Sequence, residues 1–162
     1  MSALSDLYDR DYSAWAEKTA ELLRQGRFSE LDVEHLVEEL GDMGKSQRQE
    51  LVNRLRILLA HLLKWQFQYR RLSARWAEFE GKSWRNTLIE HRLALRYLLE
   101  DHPGLKRHLP TAVAKAYPQA LELAARESQL SAETFPAACP YTQPQILDPD
   151  FFPQAESSQS GG

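Results

Sequence analysis

The chain has 162 residues, 23 acidic and 20 basic, for a net charge of −3, with 43% hydrophobic and 10% aromatic side chains. A chain of this length buries roughly 70% of its unfolded surface in one core, and this composition excludes a wholly disordered polymer. The single cysteine, Cys139, excludes an internal disulfide, and no apolar run reaches the roughly 18 residues that a membrane helix needs.

The opening MSALSDLYDRDYSAW lacks the basic region and continuous apolar block of a signal peptide, so a cytoplasmic protein is expected. Charge is segregated along the chain. Residues 1–44 hold 11 acidic and 4 basic side chains, residues 45–107 hold 14 basic and 6 acidic, and residues 108–162 hold 2 basic and 6 acidic. Complementary segments of this kind neutralise one another when packed together; the alternative is a basic face for nucleic acid.

In chain order, DYSAWAEKTAELLRQ (11–25) sets Tyr12, Trp15, Thr19, Leu22 and Leu23 at helical spacing, and Gly26 supplies the stop. Asp32 opens a second helix in LDVEHLVEEL by accepting from orphan N–H groups. Val33, Leu36, Val37 and Leu40 form its apolar face, and Gly41 or Gly44 ends it. Ser46 and Gln49 then have the form of a capping box ahead of the longest periodic run. There Leu51, Leu55, Leu58, Leu62 and Trp65, widened by Val52, Leu59 and Leu63, predict a helix over about residues 46–68 at the centre of the core.

After LSARWAEFEGK, read as a loop or short helical turn, Ser83 is placed to cap a fourth helix ending near Asp101. Trp84, Leu88, Leu95, Leu98 and Leu99 share its inner face. Pro103 and Pro110 suit helix starts, and Pro118 is expected to kink or divide the last helix. In FPAACPYTQPQILDPDFFP the repeated prolines favour extended backbone. Phe135, Tyr141, Ile146, Leu147, Phe151 and Phe152 are too apolar for a free tail, so the segment is expected to wrap over the bundle, with Thr142 capping one turn through Leu147. Strand-type alternation is absent. The expected fold is all-α, a compact bundle of about five to six helices with a Pro-rich C-terminal segment over it. It forms a single domain over residues 1–153, followed by a disordered polar tail at 154–162.

The stretches DYSAWAEKTAELLRQGRFSELDVEHLVEELGDMGKS, HLLKWQFQ, SWRNTLIEHR and FPAACPYTQPQILDPDFFP, in this order and spacing, resemble the bacterial domain-of-unknown-function family 29 over about residues 8 to 153. The resemblance implies a compact, all-helical domain of bacterial origin and carries no established activity. Two departures stand out: residues Leu72 to Lys82 are longer than the usual connection between the HLLKW and SWR helices, and His91 stands where Gln is expected.

For chemistry, His61 lies about 60° from the Leu58 centre of the long helix, a border position suited to a hydrogen bond with a neighbouring helix. A metal reading takes Glu38 and Asp42, spaced i,i+4 in VEELGD together with Glu39, and needs His61 from a second helix; His91 would be a further ligand if it faced His61. Repeated Glu-x-x-His, HExxH and clustered cysteines are all missing. Cys139, flanked by proline, has no nearby histidine to activate it. A nucleic-acid reading takes Arg70, Arg71, Arg75, Lys82 and Arg85 around Tyr69, Trp76 and Trp84, as phosphate contacts beside stacking rings. With no complete catalytic constellation, the leading expectation is a module that binds another macromolecule, protein or a second copy of itself, without a cofactor and without a membrane. An RNA- or DNA-binding module and a metal-dependent hydrolase are the alternatives.

Overall fold

A computed structural model describes residues 3–69 and 81–154, and every regular element among the described residues is helical. The chain divides into two compact units, Met1–Ser46 and Gln47–Gly162.

The first unit opens with α1 (Ala3–Arg10), an element that the sequence reading did not anticipate, and α2 (Tyr12–Arg24). Asp11 separates them: its side chain accepts from Ala14 N–H at 3.1 Å, satisfying one of the orphan donors at the start of α2. Gly26, at φ +71, ends α2 as expected, because glycine enters the left-handed region without a Cβ clash. Trp15, Thr19 and Leu22 form its buried stripe. A short 3-10 turn, Phe28–Glu30, leads to Asp32, which caps α3 (Val33–Lys64).

Helix α3 corrects the expectation of a break at Gly41 or Gly44: the two predicted helices are one, 32 residues long. A glycine inside a helix costs about 1 kcal/mol relative to alanine but keeps both its N–H and C=O, so the hydrogen-bond ladder continues through it. Ser46 is accordingly an interior residue and not an N-cap; the capping box with Gln49 does not form. Five π-helical residues, Trp65–Tyr69, continue α3 to about the predicted end.

In the second unit, Leu51, Leu55, Leu58, Leu59, Leu62 and Leu63 are fully buried, as the period of the run required. Helix α4 (Lys82–Asp101) begins one residue before Ser83. Gly81, at φ +63, occupies the cap position, and Ser83 instead lends its carbonyl to Thr87 Oγ1–H at 2.9 Å. A 3-10 segment, Pro103–His108, precedes α5 (Leu109–Ser128), and Pro110 stands in its first turn. Pro118 does not divide α5. One missing N–H is tolerated because Ala112, Ala116, Ala120 and Ala124, at steps of four, bury a continuous small-residue face on both sides of it.

The proline-rich segment packs on this core. Phe135, Tyr141 and Ile146 are buried, and Phe151 and Phe152 pack against the same cluster. Thr142 caps α6 (Gln143–Leu147) in a reciprocal capping box with Gln145. Arg92, buried on α4, holds the segment down: Nε donates to Ile146 O at 3.2 Å, Nη2 to Gln145 O at 3.2 Å and Nη1 to Phe151 O at 2.5 Å. Tyr117 donates to Pro136 O, and Tyr141 to Gln66 Oε1 at 2.8 Å. The ion pair of Lys64 with Glu127 joins the basic middle of the chain to its acidic C-terminal part.

Candidate functional site

Polar and aromatic side chains converge in the first unit around Asp32. Its Oδ1 accepts the His35 backbone N–H at 3.4 Å, while Oδ2 accepts Trp15 Nε1–H at 3.1 Å and lies 2.5 Å from His35 Nδ1. The His35 ring stacks on Tyr8, centroids 3.9 Å apart and planes at 11°. Tyr8 donates its hydroxyl to Glu39 Oε1, and Tyr12 donates to Glu39 Oε2 at 2.6 Å. Helices α1, α2 and α3 thus meet through one connected network.

The electrostatics follow from the bonding. Burial pushes Asp32 upward, but hydrogen bonds from His35 and Trp15 outweigh it and hold the carboxyl below its ordinary value. The same hydrogen bond to Asp32 raises His35. The Tyr8 phenol is pushed up, chiefly by its hydrogen bond to Glu39, and the two tyrosines in turn lower Glu39. Chemically, the hydrogen bond to Asp32 makes the His35 ring hold its proton more firmly than a free imidazole does. Mechanically, it sets the rotation of α3 about its axis.

That rotation leaves an apolar face outward. Val33 (57%), Val37 (64%), Leu40 (60%) and Met43 (58%) are all more than half exposed. At 100° per residue Val33, Val37 and Leu40 fall within about 60° of one another, with Gly44 among them and Met43 about 60° to one side. The sequence reading assigned Val33, Val37 and Leu40 to a core-facing stripe; the structure corrects this, because α1 and α2 engage the His35 and Glu39 side of the helix.

The predicted ligand candidates are distributed differently from the metal hypothesis. Glu38 and Asp42 are exposed in the first unit, on the same unbroken helix that carries His61 rather than on a facing one. Glu39 is engaged by the tyrosines. His61 and His91 do face each other across α3 and α4, stacked at 5.1 Å and 14°. Burial, reinforced by Lys64 and His91, lowers His61 to about 4, and burial lowers His91 as well, so both rings are neutral near pH 7. Among the described residues no group of three or more His, Cys, Asp or Glu could hold a metal ion. Cys139 lies 3.6 Å from Tyr141 O, and burial raises its thiol, which disfavours the nucleophilic thiolate.

Of the basic candidates, Arg70, Arg71 and Arg75 lie outside the described residues. Lys82 and Arg85 are exposed at the start of α4, and the Arg85 guanidinium sits 5.0 Å above the Phe152 ring. No helix among the described residues is long and apolar enough to cross a membrane.

The Asp32 network was only partly legible beforehand. Asp32 reads as a helix cap from its position, but its links to Tyr8, Trp15 and Glu39 join residues up to 31 positions apart and carry no periodic signal. The one local clue is Asp-x-x-His at the start of α3, a spacing that brings the imidazole back over the cap.

No curated protein and no solved structure matches the chain. The family described as Domain of unknown function DUF29 matches residues 7–152, so this helical chain belongs to the DUF29 family.

Proposed function

We propose that this protein is a macromolecule-binding module whose partner is protein, and that it docks through the outward face of α3. The observation that carries the proposal is the run of Val33, Val37, Leu40 and Met43, each more than half exposed along one helical surface. A contiguous apolar patch of this kind is costly in water and marks interaction surfaces. Burying each side chain fully would add on the order of 1 kcal/mol. Glu34, Glu38 and Lys45 provide the charged rim that such interfaces carry. The Asp32 network supports the reading by fixing which side of α3 is presented. An amphipathic helix offered in this way is suited to helix-in-groove or helix-on-helix recognition, and an apolar face favours a protein partner over the phosphate backbone of a nucleic acid.

Site-specific photocrosslinking in the native host tests this. A crosslinker at position 37 or 40 is expected to trap a discrete protein adduct, while one at exposed Lys115 is not. Equal labelling from both positions, or no adduct from 37 and 40, would overturn the proposal. The reading places the protein in the cytoplasm, where its partner would be sought.

A further inference from the structure

Resting on that docking surface, we infer that the occupant of the α3 face is a second copy of this chain, bound antiparallel across it. The face is graded in size along its length. Its N-terminal part is bulky, with Val33, Val37 and Leu40, while in its C-terminal part Gly41 and Gly44 leave a flat strip on the side away from Met43. Glycine lowers helix propensity, and a Cβ placed on Gly41 would meet nothing within 4 Å, so no contact within the chain requires its absence. A second helix laid across the face would supply the missing reason. With a two-fold axis near Leu40 and Gly41, Leu40 of each copy lies over Gly41 of the other, and Val37 over Gly44, filling each flat with a side chain.

Charge selects the same arrangement. Glu34 and Glu38 lie on one flank of the face, and Lys45 lies on that same flank about two turns further along. Antiparallel pairing brings like flanks together in reverse order, so Glu38 of one copy comes alongside Lys45 of the other; parallel pairing would bring opposite flanks together and leave the two apart. The face is small. Four partly exposed side chains and their rim fall short of the about 800 Å² per partner of a standard interface, so the dimer is weak and concentration-dependent.

The test is light scattering and sedimentation of the full chain from micromolar to millimolar concentration. The expected mass rises from that of one 18.7 kDa chain toward two. Leu40→Asp is expected to hold the protein monomeric with unchanged helicity. Gly41→Ala should weaken association several-fold while the monomer becomes no less stable. Glu38→Lys should weaken it, and Glu38→Lys combined with Lys45→Glu should restore it. A wild-type chain that stays monomeric to millimolar concentration, or a dimer indifferent to Leu40→Asp and Gly41→Ala, would overturn the inference. If the chain is monomeric yet positions 37 and 40 crosslink to a different protein, self-association fails and the protein-binding reading stands. If neither occurs, both fail.

Discussion

Arg92→Met should cost this protein about 3–4 kcal/mol and release the C-terminal segment from the helices. Arg92 is 5% exposed and places its guanidinium on three backbone carbonyls, those of Gln145, Ile146 and Phe151, at 2.5 to 3.2 Å. Its plane also lies 5.9 Å from the Phe151 ring centroid and 5.8 Å from that of Phe152. Hydrogen bonds from a charged donor contribute roughly 1.5–3 kcal/mol each, so three would approach the full stability of a small domain if they added. They do not add, because removing the cation also removes the several kcal/mol that its desolvation costs; burial lowers its pKa, with Asp148 and Asp150 acting in the opposite sense. Once the segment detaches, the freed carbonyls are solvated, which limits the loss further. Arg92→Lys should rescue little, since one ammonium on a flexible stem cannot span three carbonyls contributed by residues 145 to 151. Urea denaturation measures the cost, and hydrogen exchange of amides between Gln143 and Phe152 locates it. A variant within about 1 kcal/mol of wild type, with exchange in that segment unaltered, would refute the clamp.

Acid should destabilise the fold through His61. Its folded pKa of about 4 lies below the ordinary 6.5, so the unfolded chain binds the proton more readily. The stability is fully present above pH 6.5 and is lost as pH falls toward about 4. The shift sets a ceiling near 3 kcal/mol, and solvent screening of a partly exposed ring reduces it to about 1–2 kcal/mol. Denaturant titrations should therefore show a shallower acid dependence in His61→Gln, and parallel curves would contradict the assignment. In the first unit the sign for histidine reverses. Asp32 raises His35 and His35 lowers Asp32, so that pair's contribution is complete between the unfolded values of the two groups; it declines as pH rises through His35's folded value and again as pH falls through Asp32's. Asp32→Asn should move the His35 NMR titration downward; an unchanged midpoint would mean the hydrogen bond at Nδ1 does not govern the ring.

Helical class, the buried leucine run of α3, the stop at Gly26, the Thr142 cap and the packed proline-rich segment were all determined by the sequence. Each rests on interactions within a few residues or on a period that any helix must obey. The Asp11 to Gln25 helix and the Ser83 to Asp101 helix were likewise placed within a residue or two of α2 and α4.

What sequence could not decide was where competing local signals cancel. Gly41, Gly44 and Ser46 together suggest a turn, yet each term is only about 1 kcal/mol, and an intact ladder outweighs them. His61 illustrates the same boundary: its edge position follows from 100° per residue, but its neighbour, His91, depends on how α4 lies against α3. The face of Val33, Val37 and Leu40 is the most consequential case. Periodicity established that these side chains share a side, and only the tertiary structure decided that α1 and α2 would take the His35 and Glu39 side instead. A helical pattern specifies which residues lie together, because that is local geometry. Which side is covered depends on the energies of contacts far apart in the chain, here two tyrosines, a tryptophan, a histidine and two carboxylates.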